Sequence, residues 1–410
     1  NRVQIKMCED ILMKLFHKLL VAPATLGLLA PFSAVANEIN LNQVTQYGID
    51  QEVFIEDEVD STTFSKELAQ AKSVTTNHSI TDPSFEAGSF SETTVASFGA
   101  GFLIGGTEGD ADTQLDSEAV TVSYSFGMGL NTTFTGEDDL FVSIETGNTV
   151  AGNALTGMLD YGSANADALK VADLHYTRPF GEKVTVSLGD SMDLSKQFAG
   201  ACAYSGFTDA LADCGTGNSA GAGGDVSLSA SYDIGNGFTF GAGLSGSEGS
   251  TTNGLFTKES ADLYGMQLAY GADNYGAAVS YSNSDTTTTD TVYWGLNGYY
   301  SFDNTILNSI SVGYEAANPT AGSDSTAYFV GITTAEVGPG AFSVAMGTND
   351  DVAGTTLFTD GADETYLYEV SYGWNINDST SATIGGFIQE RTTANGDDLT
   401  GIALSTSFAF

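Results

Sequence analysis

The sequence predicts an all-β protein, a transmembrane antiparallel up-and-down β-barrel. Three observations point there. The last stretch, Gly401–Phe410, carries no charge and closes on an aromatic residue. In it Ile402, Leu404, Phe408 and Phe410 alternate with Ala403, Ser405, Ser407 and Ala409. A period of two with one apolar face is a half-buried strand. Similar segments recur from Thr93 onward, separated alternately by tight turns and long polar loops, which is the rhythm of outer-membrane barrels. The N-terminal segment reads as an export signal.

Composition narrows the class. The 410 residues include 49 Gly, and 52 Asp+Glu stand against 12 Lys+Arg for a net charge of −40. Residues that favour strands and turns dominate. A mean hydropathy of −0.02 fits alternating apolar and polar positions. Beyond the N-terminal segment no apolar run is long enough for a membrane-spanning helix. The charge excludes nucleic acid and anionic headgroups as electrostatic partners and is compatible with cations. A soluble halophilic protein would carry a similar charge, but that reading accounts for neither the N-terminus nor the final strand.

Residues 1–12 fit no element and read as sequence upstream of a start at Met13. Lys14 and Lys18 then form a basic region, Leu19–Leu29 an apolar core, and Ala34-Val35-Ala36 a cleavage site. Residues 1–36 are therefore expected to be removed, leaving Asn37 as the first residue. Residues 37–92 are acidic, with Asp50, Glu52, Glu56, Asp57, Glu58 and Asp60, and Thr62–Val74 could form one helix. This stretch reads as a periplasmic extension or as a disordered linker.

Residues 93–410 hold sixteen candidate strands: 93–105, 117–130, 138–148, 168–178, 182–190, 224–234, 237–246, 262–271, 274–283, 290–302, 306–316, 325–334, 340–348, 363–374, 379–391 and 397–410. Short connections are rich in Gly, Asn, Asp and Pro. Long ones include Thr107–Asp116, Thr149–Asp167, Ser191–Gly223, Ser247–Ala261 and Asn349–Ala362. An even strand number puts both barrel ends in the periplasm. Boundary shifts of a few residues would leave fourteen or eighteen strands. Individual strands carry the pattern clearly. Tyr264, Met266, Leu268 and Tyr270 alternate with Gly265, Gln267 and Ala269, and Tyr366, Tyr368, Val370, Tyr372 and Trp374 alternate with Leu367, Glu369, Ser371 and Gly373. Large apolar residues are expected to face lipid, and small or acidic ones the lumen. A β-sandwich would show the same alternation without the loop asymmetry.

No catalytic constellation is visible, and no cofactor is expected. The histidines beyond the signal are His78 and His175, and no nucleophile–base spacing or phosphate loop stands out. Asp173 and His175 share a strand face, where an ordinary lumen histidine outweighs a metal ligand. Cys202 and Cys214, close together in a Gly-rich loop of an exported chain, are expected to form a disulfide.

Four segments carry a family resemblance: TFTGEDDLF around 133–141, KVADLHYTRPFGEKVTVSLG at 170–189, YGADNYGAAVSY at 270–281 and YEVSYGWNIN at 368–377. Together with the signal at 13–24 and NEINL at 37–41, they resemble the cyanobacterial major outer-membrane porins. That family is related to the carbohydrate-selective porins and is often labelled iron uptake porins. The resemblance implies a sixteen-stranded, trimeric barrel in the outer membrane, taking up carbohydrate or iron. It also implies an S-layer-homology domain that contacts the cell wall. Residues 37–92 are too short for that domain and lack its signature. The family often carries basic lumen residues where this chain has Ser143 and Glu145.

An open barrel of this size encloses water, and its selectivity follows from the charges at the narrowest point. The longest loop, Ser191–Gly223, is the expected constriction, stiffened by Cys202–Cys214. Asp193, Lys196, Asp209 and Asp213 lie in it and Asp190 precedes it. Glu145, Asp173, Glu315 and Glu369 are expected to line the lumen, opposed by Lys170, Arg178 and Arg391. Phe408 and Phe410 are expected at the barrel closure. The leading expectation is a cation-preferring channel for small solutes and inorganic ions, with outer-membrane lipid as its surroundings. The alternative is a non-conducting structural or receptor-type surface barrel, and an enzyme barrel comes last.

Overall fold

The computed structural model describes residues 93–109, 117–149, 153–162, 167–220, 226–246, 254, 257, 260–286, 289–303, 306–348, 366–390 and 398–409. The expected signal at 1–36, the acidic stretch at 37–92, Arg391 and Phe410 lie outside these residues. The strands are β1 (Thr94–Glu108), β2 (Ser117–Thr132), β3 (Asp139–Gly147), β4 (Lys170–Phe180), β5 (Val184–Asp190), β6 (Val226–Gly235), β7 (Phe238–Gly246) and β8 (Asp262–Gly271). They continue as β9 (Tyr275–Asp285), β10 (Asp290–Ser301), β11 (Leu307–Pro319), β12 (Ser325–Thr334), β13 (Gly340–Thr348), β14 (Tyr366–Asn377), β15 (Thr380–Gln389) and β16 (Leu399–Ala409). Each pairs with its sequence neighbours, and β16 returns to β1, so the sheet is a closed sixteen-strand barrel. Closure satisfies both edges of every strand, as lipid requires.

The period of two sets the two faces. On β10, Trp294 and Leu296 are 51% and 52% exposed, while Tyr293 and Gly295, which alternate with them, are buried. Outward positions all around the wall carry Val, Leu, Ile, Phe, Tyr and Met, among them Val122, Leu188, Met266, Val312, Tyr328, Val344 and Ile384. A continuous exposed apolar belt is untenable in water and is what a bilayer covers. No described helix is long and apolar enough to cross a membrane.

The tight turns share one end of the barrel with the start of β1 and the end of β16. Between β6 and β7, Asn236 and Gly237 both adopt positive φ, 55° and 83°, which a two-residue hairpin turn requires. Between β2 and β3, Asp138 accepts from Thr133 Oγ1, Phe134 N and Thr135 N through Oδ1, and from Tyr176 OH through Oδ2. The Tyr176 hydroxyl, with these turn donors, holds the Asp138 carboxyl well below the usual carboxylate range. At the seam Phe408 lies opposite Ala100, and its ring meets Phe102 edge-on at 6.2 Å.

The long connections lie at the other end, and two of them fold into the lumen. The β3–β4 connection carries helix α1 (Ala154–Met158), and the β5–β6 connection carries α2 (Asp209–Ala212) and α3 (Gly217–Ala220). The apolar core is therefore inside the barrel. Leu155 and Met158 join Tyr204, Phe207 and Leu211, and all pack on the wall residues Leu103, Phe329, Leu367, Phe387 and Leu399.

Candidate functional site

The candidate site is the β5–β6 connection where it crosses the lumen. The chain leaves β5 at Ser191, whose φ of 55° turns it inward. Leu194 then lies against Gly243 on β7, and Cys214 against Gly313 on β11. At both wall positions a β-carbon would overlap the carbonyl oxygen of the crossing chain, so only glycine lets the loop lie on the sheet. The Cys202–Cys214 disulfide forms, with Cα atoms 6.0 Å apart, and closes the middle of the loop into a ring.

Two wall carboxylates hold this ring and the segment after it. Glu369 on β14 accepts from Tyr204 OH at 2.7 Å and Phe207 N at 2.8 Å through Oε1. Through Oε2 it accepts from Thr208 N at 2.8 Å and Thr208 Oγ1 at 2.5 Å. Glu315 on β11 accepts from Asn218 Nδ2 at 2.9 Å and from Ser219 N. Neutral contacts continue along the wall: Ser311 Oγ accepts from Ala203 N, Ser229 Oγ from Gln197 N, and Thr216 Oγ1 from Asn297 Nδ2. The charge-assisted bonds to Glu369 and Glu315 are stronger than the neutral ones and fix the loop against the wall. Burial and the neighbouring Glu369 together hold the Tyr204 hydroxyl far above its usual proton affinity.

The loop is therefore two-faced. Tyr204, Phe207, Thr208, Leu211, Cys214 and Ser219 are buried, while Asp193, Lys196, Asp209 and Asp213 stay exposed. Their surroundings are still partly withdrawn from water. Burial first, then the charges of Asp160 and Asp213, raises the proton affinity of Asp209. Burial and then Asp193 do the same for Asp213. These carboxylates feel one another, and a negative potential accumulates along the exposed face.

On β3 and β4 the inward carboxylates Glu145 and Asp173 each have a partner. Lys170 Nζ sits 3.1 Å from Glu145, and His175 Nδ1 sits 2.8 Å from Asp173. Lys196 Nζ lies 5.9 Å from the ring centre of Phe141, which itself packs on His175. The Asp173–His175 pair sits on one inward face, as the spacing predicts.

Several expectations need correction. Arg178 and Asp190 occupy the outward phase: Asp190 is paired with the lipid-facing Leu174, and Arg178 lies over Phe180. Neither lines the lumen, because each is an odd number of residues from an inward position on its own strand. Glu315 and Glu369 do point inward but are only 2% and 3% exposed. They anchor the loop rather than meet water. Asp160 is the exposed carboxylate that sequence reasoning passed over, since it lay within a loop expected to project outside.

The sequence profile described as Gram-negative porin matches residues 179–393. No curated protein matches the chain in sequence. Among solved structures, OprB of Pseudomonas putida at high pH matches with a TM-score of 0.58 and 11% identity, over 78% of this chain and 94% of that one. OmpT, an outer membrane protein of Vibrio cholerae, matches with a TM-score of 0.53 and 12% identity, over 78% and 99%. An anion-selective porin from Comamonas acidovorans matches with a TM-score of 0.52 and 14% identity, over 78% and 99%. At these identities the three likenesses speak for the fold alone.

Proposed function

The chain belongs to the Gram-negative porin family, and on that footing we propose that its outer-membrane channel prefers cations. The observation that carries the reading is the exposed row Asp193, Asp209 and Asp213 on the loop across the lumen. Beyond residue 92 the basic residues are Lys170, Arg178, Lys183, Lys196, Lys258 and Arg391. Of these, Lys170 is neutralised by Glu145 and Arg178 faces outward. An acidic face concentrates cations and repels anions in the narrow part of the pore, more strongly at low ionic strength. The loop's bonds to Glu369 and Glu315 come from neutral donors, and apolar packing completes its hold on the wall.

The resemblance to cyanobacterial major porins extends the reading to small solutes, with sugars or iron species among them, and to a homotrimer. It also leaves residues 37–92 as the part that would meet the cell wall. A blocked barrel is the second reading, favoured by the apolar core that occupies part of the lumen.

The test is a variant with Asp193→Asn, Asp209→Asn and Asp213→Asn together. The zero-current potential in a salt gradient should move toward that of an unselective pore, with the single-channel conductance falling in dilute salt. A potential unchanged from the parent would place the filter elsewhere.

A further inference from the structure

We infer that the selectivity filter is built from two loops. In it Asp160 of the β3–β4 connection sets charge, and Leu155 of the same connection is a positioning residue. This rests on the channel reading above and adds to it a determinant that the crossing loop does not contain.

Three features of the β3–β4 connection carry the inference. First, α1 is a built element. Asn153 caps it, accepting from Thr156 N at 3.2 Å, and Leu155 and Met158 on its buried face join the same apolar core as Phe207 and Leu211 of the crossing loop. The two loops are thus fixed to each other by shared packing inside the barrel, where a displacement of one displaces the other. Second, the chain reverses directly after α1. Asp160 has φ 41°, Asp160 N donates to the Gly157 carbonyl and Tyr161 N to that of Thr156 at 2.9 Å. The reversal brings Tyr161 against Gly101 of the β1 wall and leaves Asp160 exposed. Third, that carboxylate acts across the gap. Its charge bears on Asp209 of the crossing loop, ahead of the nearer-in-sequence Asp213.

A solvated loop aspartate would satisfy the exposure but not the coupling between two connections joined by one core. The arrangement adds the negative charge of Asp160 to that of Asp209 from a second loop anchored in the same core. A permeating cation would then respond to carboxylates of both connections.

The experiment is a set of zero-current potentials across planar bilayers in a potassium chloride gradient, recorded from pH 7 downward. It uses the full mature chain, Asp160→Asn, Asp209→Asn and their double variant. Asn accepts the left-handed conformation at position 160, so the variant is expected to fold. Asp160→Asn should lower the potassium-over-chloride preference about twofold, the effect of one charge at close range in screened water. It should also move the loss of selectivity to lower pH, because Asp209 loses a repelling neighbour. The double variant should fall short of the product of the two single effects. Leu155→Ala, which leaves every charge in place, should weaken that non-additivity by loosening the loops from each other. An unselective parent channel would overturn the acidic filter and this inference with it. A cation-selective parent whose preference and pH profile Asp160→Asn leaves intact would overturn the second loop's part alone. Unchanged coupling in Leu155→Ala would overturn its positioning role.

Discussion

Glu369 shows how a single residue can be legible in direction and illegible in duty. Alternation along β14 places it inward from the sequence alone. Its role follows from donors at Tyr204, Phe207 and Thr208, more than 160 residues away in the chain, and no local pattern announces such a partnership. Parity errors at Arg178 and Asp190 have a simpler cause. Each ends a strand near a turn, where a shift of one residue exchanges the two faces. The exposed loop carboxylates yield a pH prediction. Asp209 and Asp213 hold their protons more tightly in the folded channel than in the unfolded chain. Protonation therefore favours the folded loop, and stability rises as pH falls through their folded-state titration. The same protonation removes filter charge. Cation preference should begin to decline at a pH above the ordinary aspartate range near 3.9, while thermal stability in detergent holds or improves. A decline only below that range, or a loss of stability alongside it, would contradict the assignment.

At the scale of elements, the strands were easier to read than the loops. All sixteen expected strands form, because the period of two is imposed on every segment that separates lipid from lumen. The β3–β4 connection was expected outside and lies inside. Its signal was present in Leu155 and Met158, three apart on one face of a five-residue helix, but a helix this short has too little periodicity to stand out. The β5–β6 connection was expected as a constriction from its length and its two cysteines, and it packs inside the barrel with the disulfide formed. Replacing Cys202 and Cys214 with Ser should cost about 3 kcal/mol of stability through restored freedom of the unfolded chain. It should also make the single-channel current noisier, since the ring between them carries both Asp209 and the donors to Glu369. Steady current at parental amplitude would show that the wall contacts alone hold the loop.

The whole molecule combines an uninterrupted hydrogen-bonded wall with an interior that is partly solid. Closure of β16 on β1, with Phe408 against Phe102, makes the wall independent of the long connections. Two of those connections then pack an apolar core against one arc of the wall and leave Asp160, Asp193, Asp209 and Asp213 exposed. The net charge of −40 is the sequence feature behind the proposed acidic interior. Which carboxylates face water and which lie beneath a loop depended on the fold. The most direct test of the central claim is the zero-current potential of the refolded parent channel in a planar bilayer under a salt gradient. A steady conductance with a cation-selective potential that weakens as salt is raised is the predicted result. Anion selectivity, or no conductance from well-folded barrels, would contradict it.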